Sequence, residues 1–563
     1  PYTAPDTYEL KNEDFFGLST SYTVSGNIVD IINQRIYKGT IYVNGEGIIE
    51  RIEEREVPQA NFILPPFIDS HIHIESTMTV TSEYARIAVK HGVIAAICDP
   101  HEIANVTGVS GIQFMIENGK KTPFKFYFGA PSCVPAAPYE TSGAILDSAD
   151  IEKLMANPDI HFLGEMMNFP GVINRDSEVI AKINAAKKNN KPIDGHAPAL
   201  HGEDLKKYAA TGISTDHECM TIAEAEEKLG LGMKILIREG SAAKNFEALY
   251  PLIDMYPNSV MLCTDDTHPD DLEVGYINNL VKRALNKGLN IFNVLKAATI
   301  NPIMHYKMDV GYLNTNNPAD FIVVDNLENL NIQQTYISGR LVFDKDNVEF
   351  PHIKVEPINN FRAKPITTND IKIEPTGKKI QVIEVIDKEL YTNRIIESPK
   401  IHDNNIISDT DNDILKIVVL NRYISDVKPA IGFVKNFGLK NGAIGGTIAH
   451  DSHNIIVVGT NDESIVKLIN KLIEIKGGIA AFDEKELQIM TLPVAGLMSD
   501  KAIDTVAKEY ETLHNKAKEM GSQLTAPFMT LAFMALIVIP ELKICDKGLF
   551  DVTTFKPVSL LSN

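Results

Sequence analysis

The sequence predicts an α/β protein built on a TIM-type (β/α)8 barrel, with a small β-sandwich made from segments before and after it and a C-terminal α+β domain. Three observations carry this expectation. Short β-rich runs alternate with helical patterns through the middle of the chain, and eight units in about 235 residues is the arithmetic of such a barrel. Each run closes on polar residues, and in this fold the strand ends share the face where chemistry is done. A different texture, short apolar stretches broken by turn signals, flanks the barrel on both sides. A doubly wound sheet would also accommodate βα alternation, but would not require eight units whose reactive residues all fall at strand ends.

In chain order, residues 1–64 form the first part of the small β domain. Its "GNIVDIINQRIYKGTIYVNGEGIIERIEER" is broken by the turn signal "NGEG" and reads as an antiparallel sheet. The barrel occupies 65–305, with strands in "FIDSHIH", "VIAAICDPHE", "FKFYFGAPS", "IHFLGEMM", "PIDGHAP", "ISTDHE", "KILIREGS" and "VMLCTDD". "SEVIAKINAAKKNN" and "TIAEAEEKLGLG" are among the helices between them. Residues 306–345, including "PADFIVVDNLENLNIQQTYISGRLVFD", return to the small β domain. Residues 346–370, rich in Pro, Asn and Lys, read as a linker. The C-terminal domain, 371–563, has strand-like "IQVIEVI", "LKIVVLNRY" and "GGTIAHDSHNIIVVG", then helical "ESIVKLINKLIEI".

Composition removes several function classes. A formal net charge of −20 repels nucleic-acid phosphates and anionic membranes, so neither is an expected partner. The five cysteines form no C-x-x-C pair and suit free thiols in a reducing, cytoplasmic setting. The acidic start "PYTAPDTYELKNEDFF" is not a signal peptide. The most apolar run, Phe528–Pro540, is too short to span a bilayer and reads as a buried helix.

His71 and His73 lie two apart at the end of an apolar run, so on a strand both imidazoles leave in one direction. Other strand ends present His101, Glu165, His196, His217 and Asp265. Imidazole with carboxylate is the ligand set of divalent ions such as Zn2+, Mn2+ and Fe2+. Even with His101 set aside, four histidines and two carboxylates exceed the need of one ion, so two are expected. Taken singly, a histidine is more often a satisfied core or surface residue; the set carries the inference. His101 ends the second strand and faces the same cavity, so it is expected to support the ligands from behind or to handle protons, with a structural hydrogen bond as the alternative. Asp266 should point away from Asp265 and serve as support. Arg238 and Glu239 either hydrogen-bond a substrate or pair with each other. Asp451 and His453 in "HDSHN" either close the site from the C-terminal domain or lie on an exposed loop.

The His-x-His, the later histidines and the final Asp resemble the amidohydrolase superfamily. Glu165 stands where most binuclear members carry a modified lysine. With "DPHEIANV", "GEMMNFPGVI", "DGHAPAL", "IREGSAAKN", "MLCTDDTHPDD" and "PVAGLMS", the chain resembles the bacterial adenine deaminase family along nearly its whole length. The resemblance implies that His71, His73 and Asp265 hold one metal, that His196 and His217 hold the other, and that Glu165 and a hydroxide bridge them. Mn2+ or Fe2+ are favoured and Zn2+ is admissible. The hydroxide would attack C6 of adenine, with Asp265 carrying its proton to the purine, giving hypoxanthine and ammonia in purine salvage. A homodimer is expected. The rivals are a cyclic-amide hydrolase of the hydantoinase or dihydroorotase kind and a metal-binding scaffold without catalysis. Glu165 and the long C-terminal domain argue against the first, and Asp265, ligand and base at once, against the second. The zinc deaminases that use H-x-E with P-C-x-x-C are excluded, because no C-x-x-C is present.

Overall fold

The computed structural model describes residues 20–241 and 243–562. The N-terminal stretch read above as lacking a signal peptide therefore lies outside the described residues. Eight parallel strands form the barrel: β1 (Phe67–Ile72), β2 (Val93–Cys98), β3 (Lys125–Ala130), β4 (Ile160–Met166), β5 (Ile193–Gly195), β6 (Thr215–Asp216), β7 (Lys234–Arg238) and β8 (Val260–Cys263). These are the eight runs read from the sequence. Strands β1 and β2 are buried at every position, which is why they read as continuous apolar runs rather than alternating ones.

Strands β1 to β5 pair in order, and β6 to β8 pair in order. Two seams close the ring. Between β5 and β6, Ser214 N–H donates to Ile193 O at 2.9 Å and Gly195 N–H to Thr215 Oγ1 at 3.2 Å. Between β8 and β1, Asp265 N–H donates to His71 O at 2.9 Å and His73 N–H to Asp265 O at 3.1 Å. Asp69 reinforces the second seam by accepting from Thr264 and, at 2.7 Å, from the Tyr276 hydroxyl. Helices Ser177–Lys188 and Ile222–Gly230 fall where their sequence patterns place them. Asp176 caps the first by accepting from Glu178 and Val179 N–H, satisfying amides that a helix start leaves open.

The flanking β segments join into one eight-stranded sheet. Tyr22–Asp30, Arg35–Val43 and Ile49–Glu54 form a meander, and Phe62–Leu64 ties it to Phe321–Val324, Ile332–Ile337, Arg340–Asp344 and Asn347–Val348. The sheet curls back on itself, since Ile49 N–H donates to Asn317 O and Ala319 N–H to Gly47 O. Ile28, Ile41, Ile63, Phe321 and Val323 fill the enclosed space.

The segment from 351 to 367 carries no regular structure, yet it is strapped down. Arg362 N–H donates to Arg422 O at 2.7 Å and Ala495 N–H to Ile358 O at 2.7 Å. Beyond it, a mixed sheet takes helix Asp462–Ile475 on one face and helices Ile503–Glu519 and Pro527–Phe533 on the other. Its strand Ile414–Leu420 shows the reason: Leu415, Ile417 and Val419 meet one layer, and Val418 and Leu420 the other, the period of two that a strand imposes.

Two readings need correction. "GGTIAHDSHNIIVVG" is two antiparallel strands, Ala443–Gly446 and Ile455–Gly459, with the residues from Thr447 to Asn454 looping out between them. Phe528–Pro540 is not one buried helix. The helix ends at Phe533, and the apolar residues after it run as an irregular buried wall in which β-branched Ile537, Val538 and Ile539 disfavour further helix. No helix among the described residues is long and apolar enough to cross a membrane. The five cysteines are free and buried.

Lys543 lies fully buried behind that wall, donating to Leu390 O at 2.6 Å and Phe533 O at 3.1 Å. Burial pushes its ammonium down to about 7. The unfolded chain therefore holds a proton here between about pH 7 and 10 that the folded chain has lost, so stability gains with rising pH across that window. Lys543→Met should flatten this part of the pH–stability curve by up to one proton, measured by denaturant unfolding at several pH values.

Candidate active site

The donors that the seams bring together converge on Glu165, at the end of β4. Its Oε1 lies 3.1 Å from His73 Nε2, 3.7 Å from His71 Nε2 and 3.5 Å from His101 Nδ1. Its Oε2 lies 2.7 Å from His196 Nδ1 and 3.3 Å from His217 Nε2. The carboxylate thus faces one histidine group with each oxygen. Asp265 approaches the first group, with Oδ1 3.0 Å from His73 Nε2 and 3.6 Å from His71 Nε2. The rings of His71 and His217 stack 4.3 Å apart.

These residues fit divalent cations on their own geometry. The trios His71–Glu165–His217, His71–His73–Asp265 and His73–His101–Glu165 each present three ligand atoms within 4.8 Å of one another, all buried. His71 Nε2, His196 Nε2 and His101 Nδ1 are buried without a hydrogen-bond partner, an expense that a bound cation removes. His73 Nδ1 donates to Asp99 O at 2.9 Å, which fixes the ring and aims Nε2 at the cluster. Burial lowers the His73 imidazole, but Asp265 and Glu165 outweigh it and hold it well above its ordinary value. A cation competes for the lone pairs those protons occupy.

Arg238, at the end of β7 and 3% exposed, ties the cluster to a second carboxylate. Its Nη1 donates to Asp265 Oδ2 at 2.6 Å and also to Glu218, while Nη2 donates to Glu218 Oε2 at 3.1 Å. Burial pushes the Asp265 carboxyl up, but Arg238 and the adjacent histidines hold it well below the usual carboxylate range. Glu239 is not part of this group: its carboxylate pairs with Arg283 at 2.6 Å, and it pairs with neither Arg238 nor the cavity.

The C-terminal domain closes the site. A small cavity of about 30 Å3 beside Glu165 is bounded on the barrel side by the histidines and on the other by Leu390, His450, Asp451, Phe533, Leu536 and Ile539. Asp451 is 4% exposed and lines this cavity rather than an outer loop. His453 does not reach it; it bonds Glu102 Oε2, while His450 Nδ1 lies 2.6 Å from Glu102 Oε1. His450 stacks on Phe533 at 4.6 Å.

Asp266 lines the cavity too, contrary to the reading that turned it away, and it accepts from Ser76 Oγ at 2.5 Å. Strand alternation fails here because β8 ends at Cys263 and Asp265 sits at φ 62°, outside the extended region. Glu102 and Glu218 were missed for the same cause. Each follows a singled-out histidine, and each lies past the end of its strand, where the neighbour no longer points the other way. His450 was passed over between Asp451 and the strand before it, although the doubled histidine of "HDSH" was the available signal.

A closed barrel with these donors at one mouth defines an amidohydrolase, and the family model described as Amidohydrolase family matches residues 62–342. The model described as Adenine deaminase C-terminal domain matches residues 389–556. The chain is 53% identical over 96% of its length, and 99% of the relative's, to a protein of Methanosarcina mazei named adenine deaminase. It is 47% identical to one of Salinibacter ruber, over 96% of this chain and 99% of the relative, and 50% identical to one of Borreliella burgdorferi, over 95% and 98%. Both carry the same name. The chain belongs to the adenine deaminase family.

Removing Arg238 leaves the Asp265 and Glu218 carboxylates buried without the guanidinium they share. Arg238→Met should cost about 3–5 kcal/mol of unfolding free energy, read by denaturant titration.

Proposed function

We propose that the chain hydrolyses adenine to hypoxanthine and ammonia; its relatives are named adenine deaminase. The observation that carries this reading is the meeting of His71, His73, His196, His217 and Asp265 around the two oxygens of Glu165, beside a small cavity.

In this reading His71, His73 and Asp265 would hold one divalent ion and His196 and His217 a second, with the Glu165 carboxylate between the two groups. Mn2+ and Fe2+ suit this nitrogen and oxygen set, and Zn2+ is compatible with it. Such ions supply Lewis acidity and bring the pKa of water toward neutrality. The protein's own part is positional and protolytic. Arg238 keeps Asp265 ionised and fixes one of its oxygens, so the other can take a proton from the attacking water and deliver it to the purine. C6 is a weak electrophile, and protonation of the ring or of the leaving amine lowers the barrier that attack alone leaves high. His101, between Glu165 and Glu102, is placed to move a proton or to complete the ligand set. Asp451 and the apolar residues of the C-terminal domain exclude bulk water and bound the purine. Free buried cysteines fit a reducing, cytoplasmic setting.

Purified protein given two equivalents of Mn2+ should release ammonia from adenine; none released rules the reading out. Glu165→Gln should lower metal content and most turnover together, and a variant matching wild type on both counts removes the bridging role. Asp265→Asn should retain the fold and much of the metal while losing about 10²–10⁴-fold in kcat, read by steady-state kinetics.

A further inference from the structure

A second, larger chamber of about 480 Å3 lies outside the small cavity, and the two share Glu218, Arg238, Leu390 and Ile539. The inner cavity is much the smaller of the two, about 30 Å3 against 480 Å3, so a purine whose C6 reaches Glu165 extends its five-membered ring toward this waist. Leu390 and Ile539 present only apolar surface there. Arg238, whose Nη1 and Nη2 donate to Glu218 and Asp265, is a donor only and cannot accept. Glu218 is therefore the acceptor at the waist. It is 6% exposed, its Oε1 faces Arg238 and lies 3.2 Å from His217 Nε2 and 3.5 Å from His196 Nδ1, and its Oε2 accepts one hydrogen bond, from Arg238 Nη2. A carboxylate oxygen accepts two, which leaves Oε2 a free lone pair.

Free adenine has one N–H in its five-membered ring; the remaining ring nitrogens at its edge accept. An ionised carboxylate cannot donate to them. We propose that Glu218 accepts this N–H, with Arg238 holding the carboxylate in place, and that it thereby selects the free base over 9-substituted adenines. A 9-alkyl group replaces the donor with carbon and leaves a buried carboxylate oxygen without its partner, the arrangement by which a site built for an N–H rejects analogues lacking it.

The inference rests on adenine being the substrate, so wild type is assayed first for ammonia from adenine. Total inactivity there counts against the substrate reading, and calorimetric binding of hypoxanthine against 9-methylhypoxanthine then decides the Glu218 assignment on its own. With activity present, kcat/KM for adenine and 9-methyladenine is compared in wild type, Glu218→Ala and Glu218→Gln, with metal content measured in each. Wild type should prefer adenine by at least ~10²-fold. Glu218→Ala should shrink that preference to below ~10-fold, mainly through a raised KM for adenine, with metal content unchanged. If the Ala variant does not fold, the isosteric Gln variant should still reduce the preference at least ~5-fold. An unaltered preference, a loss confined to kcat, or lost metal overturns the proposal.

Discussion

Closure of the barrel between its last and first strands is the constraint on which the site depends. The backbone exchange between Asp265 and both His71 and His73 joins β8 to β1, and it also sets the three side chains in register. These side chains are distant in sequence, and nothing local holds them together. Their mutual position follows from hydrogen bonds between peptide groups, with Asp69 buttressing the same seam through Thr264 and Tyr276. Donors that repel or compete for protons are thus kept close by a scaffold whose stability comes from elsewhere, in the apolar layers around the strands.

The second domain does more than cover an opening. Glu102, on the helix that follows β2, is gripped by His450 and His453 from the far side of the interface, so a barrel carboxylate and a loop of the C-terminal sheet are locked as one unit. His268 and Tyr510 make a comparable link at 2.5 Å, and Thr141 and Asn454 another at 2.9 Å. The loop that carries His450 and Asp451 leaves the sheet between two paired strands, whose ladder fixes both of its ends.

Much of this was legible in the residues. Eight strand runs, their order and the seven donors at their ends could be read because buried parallel strands have a plain apolar signature and because histidine and carboxylate are rare in such places. What escaped reading lay one residue beyond a strand. Alternation is a property of extended backbone, and Glu102, Glu218 and Asp266 sit where that backbone has already turned. Glu239 failed in the opposite sense, since its partner Arg283 stands on a helix that no strand pattern brings near it. The apolar segment after Phe533 carried no sign of its irregular path, because composition distinguishes buried from exposed better than helix from coil.

The wall built from Leu536, Val538 and Ile539 belongs to a stretch without a single ionisable group. The barrel's donor cluster and this apolar wall thus lie on separate parts of the sequence. A descendant lineage has freedom to exchange one aliphatic residue for another here, reshaping what fits while the reactive machinery stays intact.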